Sequence, residues 1–151
     1  MQQTIFQIRN LSVRIRDKTL LEIDRLEIPA GMTVVIGPNG AGKSTLLRAL
    51  IGQIGQGEIT LFDKAAAPQV RAGKVAWVGQ HGRYNMPMTV REYIALALFV
   101  QKGHLNHEWA DELLHYFDLT ALADKRISRL SGGEQQRANI IRALLQNAPV
   151  L

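Results

Sequence analysis

The feature that most constrains this chain is the octet Gly37-Pro38-Asn39-Gly40-Ala41-Gly42-Lys43-Ser44, which fits the pattern G-x-x-x-x-G-K-[ST]. That pattern carries weight only where a strand leads into it and a helix leaves it. Both are legible here. The β-branched run Met32-Thr33-Val34-Val35-Ile36 follows Pro29-Ala30-Gly31 and stops at a glycine, which predicts a buried strand. Residues Lys43 to Ile51 are good helix formers that place Leu46, Leu47, Leu50 and Ile51 on one face, and Gly52 supplies a stop. Glycines between the two let backbone N–H groups converge on phosphate oxygens, and the helix start adds the positive end of its dipole. A phosphate-binding loop is the expectation. Lys43 then reaches the β- and γ-phosphates of a nucleoside triphosphate, Ser44 offers its hydroxyl to Mg²⁺, and Thr45 meets the α-phosphate.

Around this centre the chain reads as β-rich first and helical later. Ile5, Phe6 and Ile8, then Leu11, Val13 and Ile15, alternate as extended segments do. Gly57 to Asp63 and Lys74 to Val78 predict two further strands, the second ending at Gly79-Gln80. After Thr89 the spacing turns helical. Thr89 and Glu92 form a T-x-x-E capping box, with Tyr93, Leu96, Ala97 and Val100 on the following face. Another helix is expected after Asn106, with Trp109, Leu113 and Phe117 at intervals of four, and a third from Ser131 through Ile140, Ile141, Leu144 and Leu145. This order implies an α/β architecture with a helical subdomain.

Composition narrows the field without choosing within it. At 151 residues the chain suits one folding unit or a piece of one, and 46% hydrophobic with 21% charged residues excludes a disordered chain. No cysteine is present, so disulfides, thiolate metal sites and cysteine nucleophiles are excluded. The net charge of +5 is a sum and not a patch, and reads as a solvated basic surface. No secretory signal is visible after Met1, and the longest apolar run, Tyr93 to Val100, is far short of the roughly 20 residues that span a bilayer. Membrane association is therefore expected only through another protein.

A second motif, Leu130-Ser131-Gly132-Gly133-Glu134-Gln135-Gln136-Arg137, is by itself a capped helix with two glycines at its start. GPNGAGKST and LSGGEQQR together, in this order, resemble the nucleotide-binding domains of ATP-binding-cassette (ABC) proteins. The resemblance implies a P-loop NTPase of the ABC type, incomplete C-terminally: a β-rich core over residues 1–80, a helical subdomain over 81–130, and the signature helix with the start of a further strand over 131–151. It implies ATP and Mg²⁺ as ligands, with Gly37, Pro38, Asn39, Gly40, Ala41, Gly42, Lys43, Ser44 and Thr45 binding the nucleotide within the chain. Two such domains pair head to tail in the family, so Ser131, Gly132 and Gly133 would contact the γ-phosphate held by the partner. Gln80 looks like the glutamine that senses Mg²⁺, alongside Ser44, and the attacking water.

Two departures from the family pattern stand out. The ring that usually stacks on adenine aligns with Ile15, and Phe6 is the only aromatic residue before Gly37. Ala148-Pro149-Val150-Leu151 reads like the lead-in to the Walker B strand, whose terminal Asp and following Glu these residues do not include. A fragment with impaired hydrolysis is the expectation. In the family the Walker B strand lies beside residues 32–36, so that edge is expected to be unpaired.

The remaining candidates weigh less. His104-x-x-His107 is one pair without the further ligands a closed metal site needs, and His81 and His115 stand apart. Trp109, Tyr116 and Phe117 are expected to pack in the helical subdomain. Tyr84 and the Met86-Pro87-Met88 stretch suit either loop packing or the groove that receives a membrane partner. The implied role is the ATP-binding subunit of a membrane transporter, held on the inner face of the membrane by separate permease subunits, without nucleic acid. The stretch Val75 to Val100 bears a faint similarity to the metal-chelate and cobalamin importer branch. The alternatives are a soluble ABC ATPase of repair or of the ribosome, and a fragment that binds without turnover.

Overall fold

A computed structural model of the chain describes residues 3–80, 84–101 and 106–151. His81, His104 and the side chain of Val100 lie outside the described residues. The chain divides into two compact units, residues 1–71 and 72–151.

The first unit is built on an antiparallel sheet in the order β2-β1-β3-β4. It comprises β1 (Thr4–Ile15), β2 (Lys18–Pro29), β3 (Gln56–Leu61) and β4 (Lys64–Ala65). The alternation expected for residues 5–15 is one continuous strand at the centre of the sheet, with Phe6 opposite both Ile28 and Leu61. Its inward residues Phe6, Ile8, Leu11 and Val13 are buried with Leu61 and with Leu46, Ala49 and Leu50 of helix α1 (Lys43–Leu50). Helix α2 (Ala66–Arg71) completes the unit. The strand expected over 57–63 stops at Leu61 because Phe62 and Asp63, at φ 52° and 58°, form the two-residue turn into β4.

Helix α1 ends as the sequence predicts. Gly52, at φ 72°, donates to Ala49 O, and Gln53 N donates to Arg48 O, which is the Schellman arrangement. Its buried face is Leu46, Ala49 and Leu50, whereas Leu47 is turned outward.

The expected buried strand over 32–36 is a correction. These residues form no strand and pair with none among the described residues, and Met32 and Ile36 are 95% and 90% exposed. A β-branched run supplies the propensity for a strand, while burial depends on neighbouring strands and helices. The strand expected over 74–78 is likewise reduced to one parallel bridge, Val75 to Val150.

The second unit is helical. It contains α3 (Val90–Ala95), α4 (Leu98–Gln101), α5 (His107–Tyr116) and α6 (Gly132–Leu145), with 3₁₀ turns at Thr120–Leu122 and Ile127–Arg129. Val90, Tyr93, Ile94, Leu114, Leu119, Ile127 and Ile141 are among its fully or almost fully buried residues. Both predicted capping boxes are present, Thr89 with Glu92 and Ser131 with Glu134, and Asn106 caps α5 through Trp109 N. The buried face of α5 is Ala110, Leu113 and Leu114, so the interval of four is right at Leu113 and wrong at Trp109. Trp109 and Tyr116 are 44% and 81% exposed, and of the expected aromatic trio only Phe117 packs on the core. Tyr84 and Met88 also pack on that core, while Met86 is exposed.

The unit boundary falls at 71/72, ahead of the expected position near 80, for a physical reason. Side chains of α6 hydrogen-bond to carbonyls along the segment 73–79: Gln146 Nε2 to Gly73 O (3.3 Å) and Val75 O (3.0 Å), Arg142 to Trp77 O (3.4 Å), and Gln136 Nε2 to Gly79 O (3.1 Å). That segment is held by the helical unit.

Candidate nucleotide-binding site

In the first unit, residues 37–45 form a loop that closes onto the start of α1. Gly40 and Gly42 sit at φ 83° and 90°, a backbone region that excludes most side chains, so their glycines are required by the turn itself. Ala41 N donates to Pro38 O at 3.2 Å, and the first helical donor is Leu46 N, which reaches Gly42 O at 2.8 Å. The N–H groups of Gly42, Lys43, Ser44 and Thr45 lie before that first bond, and among the described residues no backbone carbonyl accepts from them. No side chain caps α1, and its first turn carries no acidic residue. Four N–H donors and the helix dipole therefore face outward without an anion of the chain's own.

Lys43 is fixed across this loop. Its Nζ donates to Gly37 O and to Pro38 O, each at 2.7 Å, which leaves one of three ammonium donors for a ligand. The donor set suits a chain of phosphates. Ser44 is exposed on the first turn with its hydroxyl free of any protein partner among the described residues; in the second unit Gln80, exposed at the end of the segment 73–80, likewise has no partner among them. The Ser44 hydroxyl, a neutral oxygen beside the loop, fits Mg²⁺, a hard ion that keeps several waters and takes its remaining ligands from phosphate. Ile15, aligned with the adenine-stacking position, is 60% exposed at the end of β1, whereas Phe6 is buried in the core and cannot serve as the ring.

In the second unit, Ser131 is the N-cap of α6. Its Oγ accepts from Glu134 N (3.3 Å), while its N–H and hydroxyl donate to Glu134 Oε2 at 2.6 and 2.7 Å. The Ser131 hydroxyl and then its N–H hold the Glu134 carboxyl below the usual range. Thr89 does the same for Glu92, its backbone N–H contributing most. Gly132 and Gly133 have ordinary helical backbones, and a Cβ built on either meets nothing within 4 Å. Glycine in a helix costs about 1 kcal/mol relative to alanine, and nothing among the described residues requires it at those two places. The helix start opens on a cleft of 560 Å³ lined by Tyr84, Asn85, Ser128, Ser131 and Gln135. Sequence reasoning missed the side chains that hold this region together, Gln135, Gln136 and Arg142, because their partners are more than 50 residues away in most cases.

Comparison with known proteins identifies the family. The family described as ABC transporter matches residues 21–151. The hemin import ATP-binding protein HmuV of Rhodopseudomonas palustris (strain BisB18) is 38% identical over 135 residues, covering 86% of this chain and 49% of that protein. The manganese transport system ATP-binding protein MntB of Listeria monocytogenes is 35% identical over 155 residues, covering 95% and 64%. The chain thus spans about half to two thirds of the length of these relatives. Among solved structures, the ATP binding subunit of an ABC transporter superposes with a TM-score of 0.80 at 24% identity, over 97% of this chain and 64% of that one. A bacterial Atm1-family ABC exporter with ATP bound gives 0.80 at 26%, over 100% and 29%. With its phosphate loop, its signature helix and a family match over residues 21–151, the chain belongs to the ABC transporter family as part of the nucleotide-binding domain.

Proposed function

We propose that this chain is the ATP-binding part of an ABC importer subunit, which binds ATP through Gly37 to Thr45 and presents Ser131, Gly132 and Gly133 to the nucleotide of a second, head-to-tail copy. The observation that carries the reading is the start of α1, where four N–H groups, a free ammonium donor and a free hydroxyl converge without an internal anion. The two signature glycines support the second half, since a Cβ on either would meet nothing within 4 Å among the described residues.

Within this reading each residue has a defined task. The loop N–H groups and Lys43 neutralise the phosphate oxygens, and Ile15 gives the adenine an apolar surface in place of a stacked ring. Ser44 would offer its hydroxyl to Mg²⁺, an ion that would supply positive charge to the phosphates, and the resemblance to the ABC family assigns Gln80 the sensing of that ion. Hydrolysis by the 151 residues alone is expected to be impaired, because no carboxylate in them matches the Walker B Asp or the Glu that orients water. Among the described residues no helix is long and apolar enough to cross a membrane. Attachment to the membrane through permease subunits is part of the proposal, supported by relatives whose names denote hemin and manganese transport.

A titration with a fluorescent ATP analogue tests the core of this reading. Saturable binding that ATP displaces and AMP does not is expected. Displacement by AMP at equal concentration would refute the phosphate-directed site. For the second half, Gly133→Ala should leave ATP affinity unchanged and abolish ATP-dependent association of two copies in sedimentation experiments.

A further inference from the structure

Gln80 is flanked by two hydrogen bonds to adjacent residues of the signature helix. Just before it, Gly79 O accepts from Gln136 Nε2 at 3.1 Å. On its other side, Tyr84 N donates to Gln135 Oε1 at 3.2 Å. Gln135 is itself immobilised. It is 4% exposed, and its Nε2 donates to Ile127 O (2.9 Å) and Leu130 O (3.3 Å), so all its polar atoms are engaged.

These bonds end a longer fastening. From Gln146, the C-cap of α6, to Gln136 within it, side chains take up the carbonyls of Gly73, Val75, Trp77 and Gly79, every second residue, which is how carbonyls along one edge of an extended segment recur. Residue numbers fall along α6 as they rise along the segment, so the two run antiparallel. Ten residues of helix rise about 15 Å and six of extended chain about 20 Å, which makes the lengths compatible. The end of α6 that carries Ser131 to Gly133 is therefore the end at which Gln80 is held, with Gln136 about 7.5 Å along the axis from Ser131.

We propose that Gln136, seconded by Gln135, is a positioning residue for Gln80: its amide holds the Gly79 carbonyl and thereby sets where the Gln80 side chain presents its oxygen. The proposal rests on the reading of Gln80 as a Mg²⁺-sensing residue. It makes the start of α6 and Gln80 parts of one rigid piece, so displacement of one displaces the other. The donor is the feature that matters, since Gly79 O can only accept.

The test uses the 151-residue chain and compares ATP affinity in Mg²⁺ with that in EDTA. Gln80→Ala is expected to erase the Mg²⁺ enhancement. Gln136→Glu, of the same shape but without the donor, is expected to reduce it about two- to tenfold, the range of one neutral hydrogen bond, with the EDTA affinity unchanged. Gln136→Lys, which restores a donor, should recover most of it. If Gln80→Ala leaves the enhancement intact, the reading of Gln80 fails and the positioning role with it. If Gln80→Ala erases it and Gln136→Glu matches the unsubstituted chain, only the positioning role fails. Should Gln136→Glu not fold, NMR of the unsubstituted chain decides: the Gln136 side-chain amide must shift with Mg²⁺-ATP in step with the Gln80 backbone amide. A Gln136 signal that stays fixed while Gln80 moves overturns the proposal.

Discussion

Replacing Lys43 by methionine keeps the apolar stem and removes the ammonium. The structure sets the size of the effect. Two of the three N–H donors are committed to Gly37 O and Pro38 O at 2.7 Å, so one is left for a phosphate oxygen. One hydrogen bond from a charged group contributes about 1.5–3 kcal/mol, equivalent to about 10- to 150-fold in affinity. The partial exposure of the loop favours the lower half of that range, because solvent screens the charge. ATP affinity of Lys43→Met, measured by calorimetric titration, should thus fall by tens of fold, while the weak affinity for AMP changes little. A loss beyond about 10⁴-fold would mean that the ammonium leaves both carbonyls and gives all its donors to the ligand. A loss under threefold, or an equal loss for AMP, would refute the assignment of the free donor to the outer phosphates.

Other expectations follow from single contacts. Gly57, at φ 147°, faces β1 so closely that an added Cβ would lie 2.7 Å from Leu11 Cα and 2.8 Å from Asn10 O. Gly57→Ala should destabilise the first unit by about 3 kcal/mol or more in urea melts, against about 1 kcal/mol for Gly52→Ala, whose Cβ would meet only Ala67 at 3.7 Å. Glu92 and Glu134 titrate below the ordinary glutamate value of 4.5, so their capping contribution is full above that pH and is lost as pH falls through their lower folded values. Carboxyl titration by NMR should give both midpoints below 4.5, and midpoints at or above it would contradict the capping geometry. Residues 32–36 present an uncharged, β-branched and unpaired segment, so the 151-residue chain should self-associate, and Val34→Lys should suppress this in light scattering. A chain that stays monomeric at high micromolar concentration would show that this segment is no liability.

Much of the site was legible because its determinants are local. The turn through Gly40 and Gly42, the start of α1 at Lys43, its stop at Gly52 and the two capping boxes each depend on residues within a few positions of one another. The family resemblance rests on those same short motifs. Strand β2 passed unread although it lies in the sheet, because none of its residues is buried and its apolar positions form only a weak alternation. On α5, the interval of four found Leu113 and Phe117, which pack on the core, but also took in the exposed Trp109 and passed over Ala110 and Leu114, which face α6 and its neighbours.

The sequence by itself determined the glycine turn at the start of α1, the capped start of α6 and the family. Tertiary structure alone decided three things. Residues 32–36 have the composition of a buried strand yet stand exposed, since burial belongs to neighbours and not to a segment. The segment 73–79 belongs to the helical unit, since its carbonyls are taken by α6 side chains 57 to 73 residues away. And the two glutamines after Glu134, given no role by the sequence beyond their place in the second motif, hold the backbone on either side of Gln80. Contacts at that separation depend on how the chain returns on itself, which no local pattern encodes.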